Sequence, residues 1–157
     1  MTGVRRGART VLKYFAPLYV LLIVTQVILA GEGIFGLNNI RHSDDCNKSG
    51  AHCIANSTTL DPHRFLGFFL TEPLAFLFLI TALLAWHQNR RIRRISILLP
   101  FLTFAQAPLA WFGRWTGMFH PLNAFLVLGL FGWLTYQLRQ EQPETAEAPA
   151  AVAVPAA

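Results

Sequence analysis

Four long apolar blocks separated by short polar links constrain this chain more than any other feature. They run roughly from Tyr14 to Phe35, Phe65 to Trp86, Ile95 to Phe112 and Phe119 to Leu138. Each has about the 20 residues needed to cross about 30 Å of hydrocarbon. Inside a bilayer every backbone polar group must find its partner within the protein, which leaves the helix as the form for such blocks. The expected fold is all-α, a four-helix transmembrane bundle. The links His87–Arg94 and Gly113–Met118 are too short for anything but antiparallel neighbours, so the expected order is up-down-up-down.

Composition agrees. The chain is 54% hydrophobic and only 13% charged, where a soluble domain carries about 25% charged residues. One bundle uses nearly all of the 157 residues. The expected divisions are a basic N-terminus (1–13), the bundle (14–138) with a polar outer loop (36–62), and a disordered tail (139–157) rich in Ala, Pro and Glu.

The net charge of +5 raises the question of nucleic acid, but the placement of the charges excludes it. Nine of the 13 basic residues (Arg5, Arg6, Arg9, Lys13, Arg90, Arg91, Arg93, Arg94, Arg139) fall on one side of a chain that crosses four times. Arg41, Lys48, Arg64 and Arg114 fall on the other. This asymmetry places both termini in the cytoplasm. The competing description of the first block, a cleaved signal peptide, would leave an odd number of spans and lacks a clear small-x-small site. Trp86, Trp111, Trp115, Trp133 and Tyr136 cluster near block ends, as interfacial aromatics do. Pro73, Pro100 and Pro108 lie inside blocks and predict kinks.

Two histidines carry the chemistry. His63 and His120 each open a span, and both spans start on the outer side. Such a histidine is costly to leave without a partner. Two of them on alternate helices can meet across one flat cofactor, with haem the leading candidate, or each can simply cap its helix at the headgroups beside Pro62 and Pro121. Gly67 and Ala124 lie one turn beyond them, leaving room for a macrocycle or for close helix packing. Arg64 and Arg114, on the same side, suit haem propionates or interfacial snorkelling. Gln26 and Gln106 are polar groups inside spans, able to bond a histidine, a propionate or each other. Gln26-Val-Ile-Leu-Ala-Gly31 resembles Gln106-Ala-Pro-Leu-Ala-Trp111, and each precedes a helix that opens with a histidine. The two helix pairs are therefore expected to be related by rough two-fold symmetry.

Cys46 and Cys53, six residues apart in the outer loop, are the only cysteines. They read as a structural disulfide, as a redox pair, or, with His42, Asp44, Asp45 and His52 nearby, as part of a metal site. Glu72 lies inside the second span, half a turn out of phase with His63, and is expected deeper in the bundle or protonated against a neighbour. Glu32 is expected at the interface.

The order of span, outer loop with Cys46-x6-Cys53, His63 opening span two and His120 opening span four resembles one half of the haem A synthase family. The likeness covers residues 14–138 in layout. Those proteins consist of two four-helix halves, and each half offers a histidine from its second and fourth helices. The chain looks closer still to small four-span bacterial proteins of the same arrangement. The family carries a glutamate one turn before the second-helix histidine, where this chain has Leu60, with Asp61 beside it. The resemblance therefore implies haem binding more than haem A synthesis, and a half-size chain would have to dimerise to supply a second site.

The expectation is a haem b protein of the bacterial cytoplasmic membrane, with the cysteine loop outside. His63 and His120 would be axial iron ligands, and Arg64, Arg114, Gln26, Gln106 and Gly67 would line the cofactor. Its role would be electron transfer or haem handling, alone, as a homodimer or with a respiratory-chain assembly partner. Two other classes stand beside it: a quinone-linked thiol-disulfide oxidoreductase, and a non-enzymatic subunit of a larger membrane complex.

Overall fold

Ala8, Leu12, Ala16, Tyr19 and Ile23 recur at helical spacing, and all five are buried along one stripe of the first helix. That stripe continues through the basic N-terminal segment, so the helix does not wait for the apolar block. The computed structural model describes residues 3–41, 59–112 and 114–141, and among them α1 spans Gly3–Arg41, with Pro17 inside it. The second span is built from α2 (Asp61–Phe69) and α3 (Ala75–Ala85), joined by a π-helical segment, Leu70–Leu74, that contains Pro73. The third consists of α4 (Arg90–Phe104) and a short α5 (Gln106–Trp111). After α6 (Arg114–Gly117), α7 (Phe119–Gln140) forms the fourth. Four helical stretches are thus long and apolar enough to cross a membrane.

Local chemistry sets the helix ends. Asp61 and Pro62 occupy the first turn of α2, where an acid suits the helix dipole and a missing N–H costs nothing. Asn89 caps α4 by accepting from the Arg91 N–H at 2.9 Å. Trp86 ends α3 in the left-handed region (φ 32°), an unusual place for a bulky residue. Its indole lies 4.9 Å from the Arg93 guanidinium, a cation–π contact that offsets part of the strain.

The core is aromatic at its centre. Tyr19 of α1 stacks on Phe131 of α7 at 4.4 Å with the rings 4° from parallel. Phe78 of α3 meets both edge-on, at 5.5 and 5.1 Å. Leu12, Leu99, Leu134 and Leu138 extend this core toward the Trp86 end. Ser96 and Thr103, both buried on α4, return their hydroxyls to the carbonyls one turn back at 2.8 and 2.9 Å.

The outward faces are apolar. Phe65, Trp111, Phe112 and Trp115 are each more than three-quarters exposed. In water such a surface would aggregate; against acyl chains it is the ordinary lipid-facing side of a span. Glu72 departs from the sequence expectation. It is exposed in the middle of the second span rather than deeper in the bundle, on the side of the helix away from the inward His63.

Candidate functional site

His63 sits in the first turn of α2 and His120 at the start of α7. The structure brings them together: their ring centres lie 6.5 Å apart and the ring planes are 77° from parallel. The same two glutamines singled out in the sequence hold them. His63 Nδ1–H donates to the backbone carbonyl of Gln26 at 3.1 Å, and His120 Nδ1–H donates to that of Gln106 at 3.0 Å. A carbonyl can only accept. The His63 Nδ1 therefore carries the ring proton and its Nε2 keeps a free lone pair; His120 Nδ1 also lies 3.0 Å from the Gln106 carboxamide nitrogen, and that ring takes the same tautomer where the carbonyl rather than the carboxamide is its partner.

The glutamine side chains return the contact. Gln26 Nε2 donates to the His63 carbonyl at 2.7 Å. With its amide oriented to satisfy both ends, Gln106 donates to the His120 carbonyl at 3.1 Å and accepts from the Ala124 N–H at 2.8 Å. Each half of the chain thus forms the same reciprocal lock, in which a backbone carbonyl fixes the imidazole and a carboxamide fixes the backbone behind it. The carboxamide oxygen of Gln26 is buried without a hydrogen-bond partner in the structure.

Gly67 has a different local task from the one its spacing suggested. A Cβ placed on it would come 2.7 Å from Gln26 Nε2. The missing side chain makes room for the glutamine rather than leaving that spot clear for a ring. Gly67 still lines the cavity beside it, a space of about 870 Å³ that is bounded by Tyr19, both glutamines, both histidines, Arg64, Ala107, Ala110 and Ala124. That volume lies within the roughly 300–1,000 Å³ of small-molecule and cofactor sites. The walls are mostly apolar.

Arg64 reaches the cavity wall while its guanidinium pairs with Asp61 at 3.4 Å, both side chains more than half exposed. The side chain of Arg114 lies outside the described residues. So do Cys46 and Cys53, with His42, Asp44, Asp45 and His52.

Two residues escaped the sequence reading. Tyr19, read only as part of an apolar run, lines the cavity and donates its hydroxyl to the Leu70 carbonyl at 3.0 Å. His87, read as part of a polar link, is buried, with Nε2 2.8 Å from the Glu141 carboxylate and Nδ1 accepting from the Asn89 N–H at 3.2 Å. A tyrosine inside an apolar span, at helical spacing with Leu12, Ala16 and Ile23, was the available signal for the first. Nothing local marked the second, because the partner of its Nε2, Glu141, lies 54 positions away.

Among the described residues no group of three or more His, Cys, Asp or Glu side chains is placed to hold a metal ion. Two imidazoles alone fall short of the four ligands that a bare zinc-type ion requires. They suffice for a metal that arrives with its own in-plane donors. No family model, no curated protein and no solved structure matches the chain.

Proposed function

We propose that the chain is a four-span protein of a bacterial cytoplasmic membrane that binds a b-type haem between His63 and His120. The observation that carries this reading is the spacing of the two rings. A metal–imidazole bond is about 2 Å long and the nitrogen lies about 1 Å from the ring centre, so imidazoles on opposite sides of one iron have centres about 6 Å apart. The observed separation is 6.5 Å. With each Nδ1–H given to a glutamine carbonyl, both free nitrogens are Nε2, and the adjoining cavity is large and apolar.

His63 and His120 would hold the haem, which when bound would supply one-electron transfer. The chain's residues do the rest. The Gln26 and Gln106 carbonyls fix tautomer and ring orientation and raise the basicity of each imidazole. The alanines on the wall admit a flat group and keep water out. Arg64 can exchange Asp61 for a carboxylate of the ligand, with Arg114 assigned the same task from the other half. In this reading the helices run up-down-up-down, the termini face the cytoplasm, and the loop with Cys46 and Cys53 lies outside as a disulfide. The protein serves electron transfer or haem handling beside a respiratory-chain assembly partner or as a homodimer.

The test is the absorption spectrum of the full chain purified from haem-replete membranes. A low-spin spectrum with a sharp α band on reduction is expected, and His63→Ala or His120→Ala should remove it. A wild-type preparation that stays colourless with haem supplied would overturn the proposal.

A further inference from the structure

The second span changes step in its middle. Along α2 the inward residues are His63, Leu66 and Gly67, and they lead to the buried Leu70. From there on the buried residues are Thr71, Ala75, Phe78, Ala82 and Ala85. Each set keeps helical spacing, but the two are offset by one residue, and Leu70 and Thr71 are buried side by side. Extended upward as an unbroken helix, the first set would bury Leu77 and Leu84, which are about half exposed. Extended downward, the second set would point Phe68 and Arg64 inward, yet both are exposed. At 100° per residue, one residue out of step is nearly a third of a turn. The offset falls on the π-helical segment Leu70–Leu74, where a wider turn absorbs one extra residue. Pro73 lies inside it and supplies no N–H for the regular ladder. The buried Tyr19 hydroxyl holds its first carbonyl, that of Leu70, at 3.0 Å.

We propose that this π segment, clamped by Tyr19, is the positioning device that turns His63 rather than Arg64 toward His120. The extra residue is absorbed where Glu72 is carried outward. Tyr19 and Pro73 act through His63 and are positioning residues. Where His63 points follows from the packing alone; only the consequence for ligation rests on the haem reading above.

The test reads register directly, on the full chain in membranes with Cys46→Ser and Cys53→Ser. Single cysteines are placed at 120 and at either 63 or 64, and a short bifunctional maleimide joins them. In the parent, 63 cross-links and 64 does not. Deleting Glu72 removes the extra residue and leaves a plain α-helix with the same face inward, so 63 still cross-links. Inserting one Ala between Thr71 and Glu72 adds a second residue to absorb and moves cross-linking to 64. In the same three lengths carrying both histidines, the low-spin haem spectrum persists in the deletion and is lost in the insertion. Tyr19→Phe and Pro73→Ala, which keep the length, lower the ratio of 63 to 64 cross-linking several-fold, and they decide the matter if neither length variant folds. Cross-linking that stays at 63 after the insertion, or an unchanged ratio in both Tyr19→Phe and Pro73→Ala, overturns the proposal. A colourless parent with the expected cross-links sinks only the haem reading.

Discussion

The two ends of the bundle both hold histidines, and they use them in opposite ways. At the Trp86 end, His87 is saturated: Asn89 N–H occupies Nδ1 and Glu141 occupies Nε2. It ties the turn after α3 to the end of α7, and Lys13 joins the same knot through the Glu141 carbonyl at 3.5 Å. At the other end, His63 and His120 each spend one nitrogen on a carbonyl and keep the other. His87 is buried while His63 and His120 are half-buried, but burial alone does not say what a histidine is for. The count of nitrogens left over is what the proposal uses: a ring with none is a staple, and two rings with one each beside a cavity are the proposed ligand set.

Substitution can break this contrast. The largest effect is expected from His63→Ala or His120→Ala, which should abolish the haem spectrum and bring thermal unfolding of the solubilised protein down to that of the haem-free wild type. His87→Ala should do the reverse. Its spectrum should match wild type, while the loss of a buried hydrogen-bonded pair should cost about 1–3 kcal/mol, read as a lower Tm. If His87→Ala also bleaches the protein, the two ends are not independent and the contrast fails.

Next come Gln26→Ala and Gln106→Ala. Each removes the carboxamide that braces a histidine backbone while keeping the carbonyl that holds its ring. Loss of such outer partners typically weakens metal binding about 10- to 100-fold, and haem titration of the apoprotein measures it. Equal effects in the two variants would support the two-fold relation of the halves. Gly67→Ala should be milder. The added methyl displaces only the far end of Gln26, costing roughly the 1 kcal/mol of one hydrogen bond, or about a fivefold weaker titration. Smallest is Arg93→Ala, which removes the contact over Trp86 and should cost about 0.5–1 kcal/mol in stability with no spectral change.

Much of this was legible in the sequence. The four spans follow from block length, and the histidine pair from its repeated place at a helix start. The glutamines were visible because Gln-x-x-Leu-Ala occurs twice, each time one loop before a histidine. What was not legible depends on register or on distant partners. Leu70-Thr-Glu-Pro-Leu74 reads as a proline kink, and nothing in those five residues says that the helix absorbs an extra residue there. Glu72 was assigned to the interior because an acid inside a span is costly in lipid, and it lies outside. Gly67 was read against a cofactor because the side chain that approaches it comes from α1, 41 positions earlier.

The central claim is that two imidazoles share one iron, and electron paramagnetic resonance of the ferric protein tests it most directly. Imidazole planes 77° apart predict a strongly anisotropic low-spin signal, unlike the rhombic signal of parallel rings. His63→Ala should convert it to a high-spin signal or remove it. A high-spin signal from the wild-type protein, or none from a preparation supplied with haem, would contradict the account.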